Sequence, residues 1–246
     1  MNEVTKLLTE HRSFRSYKED MIPENQLQTI VQSAMAAANW INGQQVTIIG
    51  VTDNDIKHRL YELVGHQPYV DQAPVFFVFC IDFHRAKLAG EKHDKTIRVT
   101  DSVDGLLTGS TDVGIAMGNA IAAAESFGLG TVPIGGIRKN PEEVIELLDL
   151  PEYVFPISGL VIGYPDGDSA QKPRLPVDAV YHKDSYKTEH LTRRIDEYDE
   201  QMSGYMAERT NGENRRDWST GVAQFYSNPV NQKVTDTLKK QGFKTE

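Results

Sequence analysis

The sequence predicts a globular fold that mixes strands and helices, α/β or α+β, and three observations carry that expectation. The run "VTIIGVT" (Val46 to Thr52) is rich in β-branched residues and leads directly into a helical pattern. The run "PVFFVFCI" is apolar on both faces, as a central strand covered on each side would be. The stretch "DVGIAMGNAIAAAESFGLG" (Asp112 to Gly130) has the spacing of a helix. Strand and helix patterns alternate through most of the chain.

Taken in order, Asn2 to Glu10 predicts a short helix with Val4, Leu7 and Leu8 on one side. A second helix starts near Pro23, because proline's missing N–H costs nothing in a first turn, and Leu27, Ile30, Val31 and Ala34 form its apolar face. After the Val46 strand, Asp53 is a suitable cap for a helix carrying Ile56, Leu60 and Leu63. Between His84 and Gly109 the chain is charged and weakly periodic, and is expected to be partly helical and mobile. The Asp112 helix is small and apolar nearly all round, so it is expected to pack on several sides, with room for a symmetry mate. A short strand around "TVPIGG" follows, then a helix opened by Asn140 and Pro141, then a strand in "VFPISGLVIGYP". From about Tyr181 the chain is polar and helix-prone, with few residues for a core of its own, so this tail must lie on its own subunit or on a partner.

The 246 residues carry a formal net charge of -9, with 39% hydrophobic and 25% charged residues, and no low-complexity linker or repeat divides them. That predicts one domain with an extended tail. An acidic balance argues against nucleic acid and membrane surfaces, which call for broad basic faces. No apolar run approaches the roughly 20 residues of a membrane helix, and the N-terminus does not resemble a signal peptide, so a cytoplasmic location is expected. Cys80 is the single cysteine and sits in the apolar strand, which excludes an internal disulfide and suggests no chemistry. The seven histidines lack metal-ligand spacing, and neither a G-x-G-x-x-G loop, a Walker loop nor a G-x-S-x-G elbow occurs, so the chemistry is expected to come from a borrowed cofactor and not from a metal.

Three clusters remain. In "HRSFRSY" (residues 11 to 17) an extended backbone places His11, Ser13 and Arg15 on one side, a donor set suited to a phosphomonoester, with Phe14 pointing inward; solvated cations at a helix C-terminus are the bland alternative. In "QKPRLP" prolines 173 and 176 stiffen a loop that displays Lys172 and Arg174 just after a strand. In "PIGGIR" Gly135 and Gly136 let backbone N–H groups approach a planar ligand.

Together with "GHQPYV" (Gly65 to Val70), "AAAESFGLGTVPIGGIRKNPEEV", "GLVIGYP" and "ERTNGENRRDWS", these segments resemble the FMN-dependent nitroreductase family, and within it the NADPH-dependent nitroreductase and flavin reductase group, from about residue 4 to 245. The resemblance implies an α+β three-layer sandwich, a mixed central sheet flanked by helices, in an intertwined homodimer with FMN at the interface. It implies a single domain over 1–246, whose region from about 181 serves dimerisation and NADPH binding. His11, Arg12 and Ser13 with Lys172 and Arg174 would hold the FMN phosphate, Arg15 would face the N1 and O2 edge of the ring, and Gln67, with Tyr69 beside it, would pair with the pyrimidine edge. The Gly135 and Gly136 backbone would face N5. Relatives carry serines near positions 39 and 40, where this chain has Asn39 and Trp40; Asn39 can still hydrogen-bond, while Trp40 narrows the substrate face. Pro133 replaces a position that is often aromatic. Arg209 and Arg215, with Arg216 adjacent, would recognise the 2′-phosphate of NADPH. The implied activity is ping-pong: hydride passes from NADPH to flavin N5, then electrons pass to nitroaromatics, quinones or free flavin, without a side-chain acid or base. A flavin reductase supplying reduced FMN, or a non-catalytic FMN carrier or regulator, are the alternatives.

Overall fold

The computed structural model describes residues 1–244. In order the elements are α1 (Glu3–Thr9), α2 (Glu24–Met35), β1 (Val46–Val51), α3 (Asn54–Leu63), α4 (Pro68–Gln72), β2 (Val75–Asp82), α5 (His84–Lys92), α6 (Val103–Ser126), β3 (Gly130–Ile134), α7 (Pro141–Leu147), β4 (Val154–Gly163), α8 (Leu191–Arg209), α9 (Trp218–Tyr226) and α10 (Val234–Lys240). A single turn of tighter helix, Gly135–Arg138, joins β3 to α7. Contacts divide the chain into a larger unit, Met1–Ser169 with the segment from Asn231, and a smaller one, Ala170–Val230.

The larger unit is built on a four-stranded sheet in the order β1-β2-β4-β3. Neighbouring strands are antiparallel, with Ile49 opposite Val78, Phe77 opposite Leu160 and Val132 opposite Val161. The parallel component expected of a mixed sheet is confined, among the described residues, to one isolated bridge between Ser13 and Thr131. Helices and antiparallel strands combine as an α+β fold, as expected. All eight residues of β2 are buried, which is why that strand lacks the alternation of a half-exposed one. Burial also pushes the Cys80 thiol far above its usual range, so it stays protonated and inert.

Helix α6 packs across all four strands and against α2. It begins nine residues before Asp112, inside the stretch expected to be only partly helical. Gly105 and Gly109 weaken the helical pattern there, yet a Cβ at Gly109 would lie 2.7 Å from Ile81 Cγ2, so glycine is what lets the helix reach the sheet. The buried stripe of α6 runs through Gly109, Asp112, Val113, Ala116, Ala120 and Ala124. The opposite face is open within one chain, where Leu107 and Ile115 are exposed.

Asp53 caps α3 as predicted, accepting from the N–H groups of Asp55 and Ile56 at 3.0 Å. The last segment returns to the larger unit. Lys240 pairs with Glu142 at 2.6 Å and Lys233 with Glu143 at 3.0 Å, while Leu238 and Phe243 enter the core. In the smaller unit α8 and α9 meet through Tyr198 and Trp218, whose ring centres lie 5.7 Å apart, and Asp199 accepts from the first two N–H groups of α9.

Candidate functional site

The basic segment after α1 is extended because it is tied to strand ends at two points. Phe14 N–H donates to Thr131 O at 3.1 Å, and Lys18 N–H to Tyr164 O at 2.9 Å. The first tie is to the start of β3 and the second follows the end of β4, so the segment lies along one end of the sheet. Phe14 turns inward and packs on the core, as its alternation with His11, Ser13 and Arg15 predicts.

His11 Nδ1 lies 2.6 Å from Glu125 Oε1, which also accepts from the Thr131 hydroxyl at 2.9 Å. Arg12 pairs with Asp168 at 2.8 Å. The Ser13 carbonyl accepts from the Ser169 hydroxyl at 3.0 Å. Arg15 is exposed, with no acidic partner among the described residues. Tyr17 closes the segment as a buried phenol donating to Phe14 O at 2.9 Å. Burial raises its pKa; Arg15 opposes the rise, while Tyr69 and Glu125 add to it. One buried phenol thus feels Arg15, Tyr69 and Glu125, which come from three separate stretches of sequence.

The segment "GHQPYV" is a tight turn into α4, with Gly65 and His66 both at positive φ and Pro68 in the first turn. Gln67 Nε2 donates to Val64 O at 3.1 Å, and the Tyr69 hydroxyl donates to Gln67 Oε1. A Cβ at Gly136 would lie 2.3 Å from Val64 O and 2.9 Å from Gln67 Nε2, so only glycine lets the turn after β3 pass this amide. At Gly135 the nearest atom to such a Cβ is Arg138 Nη2 at 3.7 Å, which leaves its backbone uncrowded. The fold therefore joins Gln67, Tyr69 and Gly136, about 70 residues apart, in one cluster.

Asn39 is used locally: its Oδ1 accepts from Gln44 N–H at 3.0 Å and fixes the loop around Trp40. It lines a cavity of 370 Å³ with Met35, Arg85 and Asp112, where none of the other predicted site residues is found. Trp40 is half exposed, its N–H held by the buried carboxylate of Asp112 at 3.1 Å.

In the smaller unit Lys172 and Arg174 are exposed, and Arg174 Nη1 folds back onto Lys172 O at 3.0 Å. Tyr198 holds the loop through Pro173 O at 2.8 Å. Arg209 ends α8, and Arg215 follows on a loop turned by Asn211 and Gly212 at positive φ. Both arginines are exposed, whereas Arg216 binds Gln224 Oε1 at 2.6 Å. Among the described residues no group of histidine, cysteine or acidic side chains could hold a metal.

Two contributors escaped sequence reasoning. Glu125 lies in the last turn of the largely small and apolar α6, and its sequence signal is that it interrupts the run of alanines before it. Lys57 is buried, its Nζ donating to Ala73 O at 2.8 Å and Asp71 O at 3.4 Å, which clamps the end of α4. Burial lowers its pKa, partly offset by Asp71 and Asp53. A lysine one turn before Leu60 on a buried stripe was the available sign.

The comparisons agree with this architecture. The Nitroreductase family model matches residues 8–164, and the model of the family's C-terminal domain matches 172–246. A Bacillus subtilis protein named FMN reductase [NAD(P)H] is 53% identical over 248 residues, covering 100% of both chains. The solved structure of B. megaterium NfrA2 superposes with a TM-score of 0.98 at 52% identity, covering 100% of both chains. The NADPH:FMN oxidoreductase of Vibrio harveyi, solved in complex with NAD+, gives 0.90 at 33% identity over 99% of each chain. With its sheet, its anchored basic segment and both family models accounted for along nearly the whole sequence, this chain belongs to the nitroreductase family.

Proposed function

We propose that the protein is an FMN-dependent oxidoreductase that takes reducing equivalents from NADPH and passes them to a small acceptor, a nitroaromatic, a quinone or free flavin. The observation that carries this reading is the larger unit's own cluster. Arg15 and the Nε2 edge of His11 lack protein partners among the described residues, and Gln67 and Tyr69 stand beside a glycine turn that no Cβ could enter. These residues fit a flavin mononucleotide: unpaired donors suit a phosphate and the polar edge of a ring, and the glycine turn suits a flat one.

His11, Arg12 and Ser13, with Lys172 and Arg174, are proposed as the phosphate ligands, Gln67 and Tyr69 as partners of the pyrimidine edge, and the Gly135 and Gly136 backbone as the surface beside the ring. When bound, FMN accepts two electrons from the nicotinamide and releases them to the acceptor. The chain supplies position, exclusion of water and charge; a fixed cation such as Arg15 favours the more negative, reduced form of a ligand beside it. Arg209 and Arg215, exposed beside a turned loop, are proposed to recognise the 2′-phosphate of NADPH. The protein is proposed to act in the cytoplasm as a homodimer of single-domain chains, with the stretch from about 181 serving dimerisation and Asn39 contributed across the interface. Leu107 and Ile115, exposed on α6, support that assembly.

The test is the absorption spectrum of the purified protein under anaerobic conditions. A yellow protein bleached by NADPH and recoloured by an acceptor is expected; a chain that stays colourless after reconstitution with FMN overturns the reading, and a yellow chain that NADPH does not bleach is a flavin carrier. The 53% identity to a protein named as an FMN reductase favours free FMN among the acceptors, and kcat/KM for FMN, a quinone and a nitroaromatic separates them.

A further inference from the structure

His11 and Glu125 carry a consequence for how the proposed cofactor is held. Glu125 is only 11% exposed, and its Oε1 accepts the Thr131 hydroxyl as well as facing His11 Nδ1 at 2.6 Å. An ionised carboxylate only accepts, so this pairing puts a proton on Nδ1. In the neutral ring Nε2 then bears a lone pair; it bears a proton only in the imidazolium. A phosphate dianion also only accepts. Nε2, which has no protein partner among the described residues, can meet such a ligand only when the ring is doubly protonated.

We propose that Glu125 is a positioning residue that makes FMN binding proton-linked: by fixing Nδ1–H it obliges His11 to take up a proton when the phosphate arrives. This rests on the reading of His11 as a phosphate ligand. The ring meets Glu125 from α6, whose Oε1 also accepts from the uncharged Thr131 hydroxyl of β3 and whose charge is felt by the buried Tyr17 phenol. Its own segment brings Glu10, Arg15 and Arg12, the last paired with Asp168. The buried carboxylate neutralises the imidazolium that forms, so the phosphate meets a local donor whose charge is already balanced on its far side.

The test is calorimetric titration of the full chain, freed of flavin, with FMN and with riboflavin between pH 7 and 9, in buffers of different ionisation enthalpy. Above pH 7 the FMN phosphate is largely a dianion, so its own titration contributes little. FMN should bind with uptake of up to one proton, and its Kd should rise toward about tenfold per pH unit, the limit for one linked proton. Riboflavin, which shares the ring but lacks the phosphate, should show neither effect; a pH dependence common to both ligands overturns the assignment. In Glu125→Gln the amide can donate to Nδ1, which frees the neutral ring to offer Nε2–H, and the linkage should disappear. PH-independent FMN binding by the wild-type chain, or an unchanged linkage in Glu125→Gln, overturns the inference while leaving FMN as the cofactor. A chain that binds no FMN at any pH overturns the functional reading and this inference with it.

Discussion

At the scale of single residues, the site depends on atoms that have no room to spare or no partner to lose. Gly136 is the first kind. Alanine there drives a Cβ to 2.3 Å from Val64 O, and since backbone cannot step aside as a flexible side chain can, the substitution is expected to cost about 1–3 kcal/mol of stability. Gly135→Ala, with 3.7 Å to its nearest neighbour, should melt near the wild type; equal Tm values for the two variants would refute the close approach. Arg174 is close to the second kind: among the described residues its acceptors are the carbonyls of its own loop, Lys172 O and Pro173 O. Arg174→Ala should weaken flavin retention roughly tenfold or more, in keeping with a lost charge-assisted contact of about 1.5–3 kcal/mol. Flavin content after dialysis is the measurement, and full retention would remove Arg174 from the phosphate site.

At the scale of elements, α4 is short and carries Tyr69, so its position depends on what grips it. Lys57 holds its last carbonyls from α3, and His58 meets Asp71 at 3.2 Å. Lys57→Met keeps the packing but leaves the buried Ala73 carbonyl and the part-buried Asp71 carbonyl without this donor, for an expected loss of about 1–3 kcal/mol and faster amide exchange in α4. Unchanged exchange there would show that the clamp is not needed. The strands were legible in the sequence because β-branched and aromatic runs bounded by turn residues leave little ambiguity, and α3 because Asp53 is a good cap. The first turns of α6 were not, because Gly105 and Gly109 read as helix breakers until the sheet they touch is known. The basic residues of the proposed site could be singled out from the sequence because cations stand out in an acidic chain. Glu125 and Lys57 could not, because a single charge reads as solvated until its burial is seen.

At the scale of the whole molecule, the open face of α6 is the clearest sign of an assembly. Leu107 is 62% and Ile115 41% exposed on a helix whose other face is fully packed. Replacing both with Glu should convert the proposed dimer to monomers with reduced flavin content, read by light scattering and absorbance. A dimer of unchanged mass would move the interface elsewhere. Both family models are needed to span the chain, yet the boundary between them does not follow the packing, since the segment from Asn231 matches the C-terminal model and folds with the larger unit.

That return of the last segment bears on how the polypeptide matures. Leu238 and Phe243 complete a core whose other members were synthesised long before, so a nascent chain halted at Val230 would present Phe83 without the ring that lies 6.3 Å away in the finished protein. Closure of the larger unit therefore waits for the segment from Asn231, and a chain without it leaves that patch of apolar core open to aggregation.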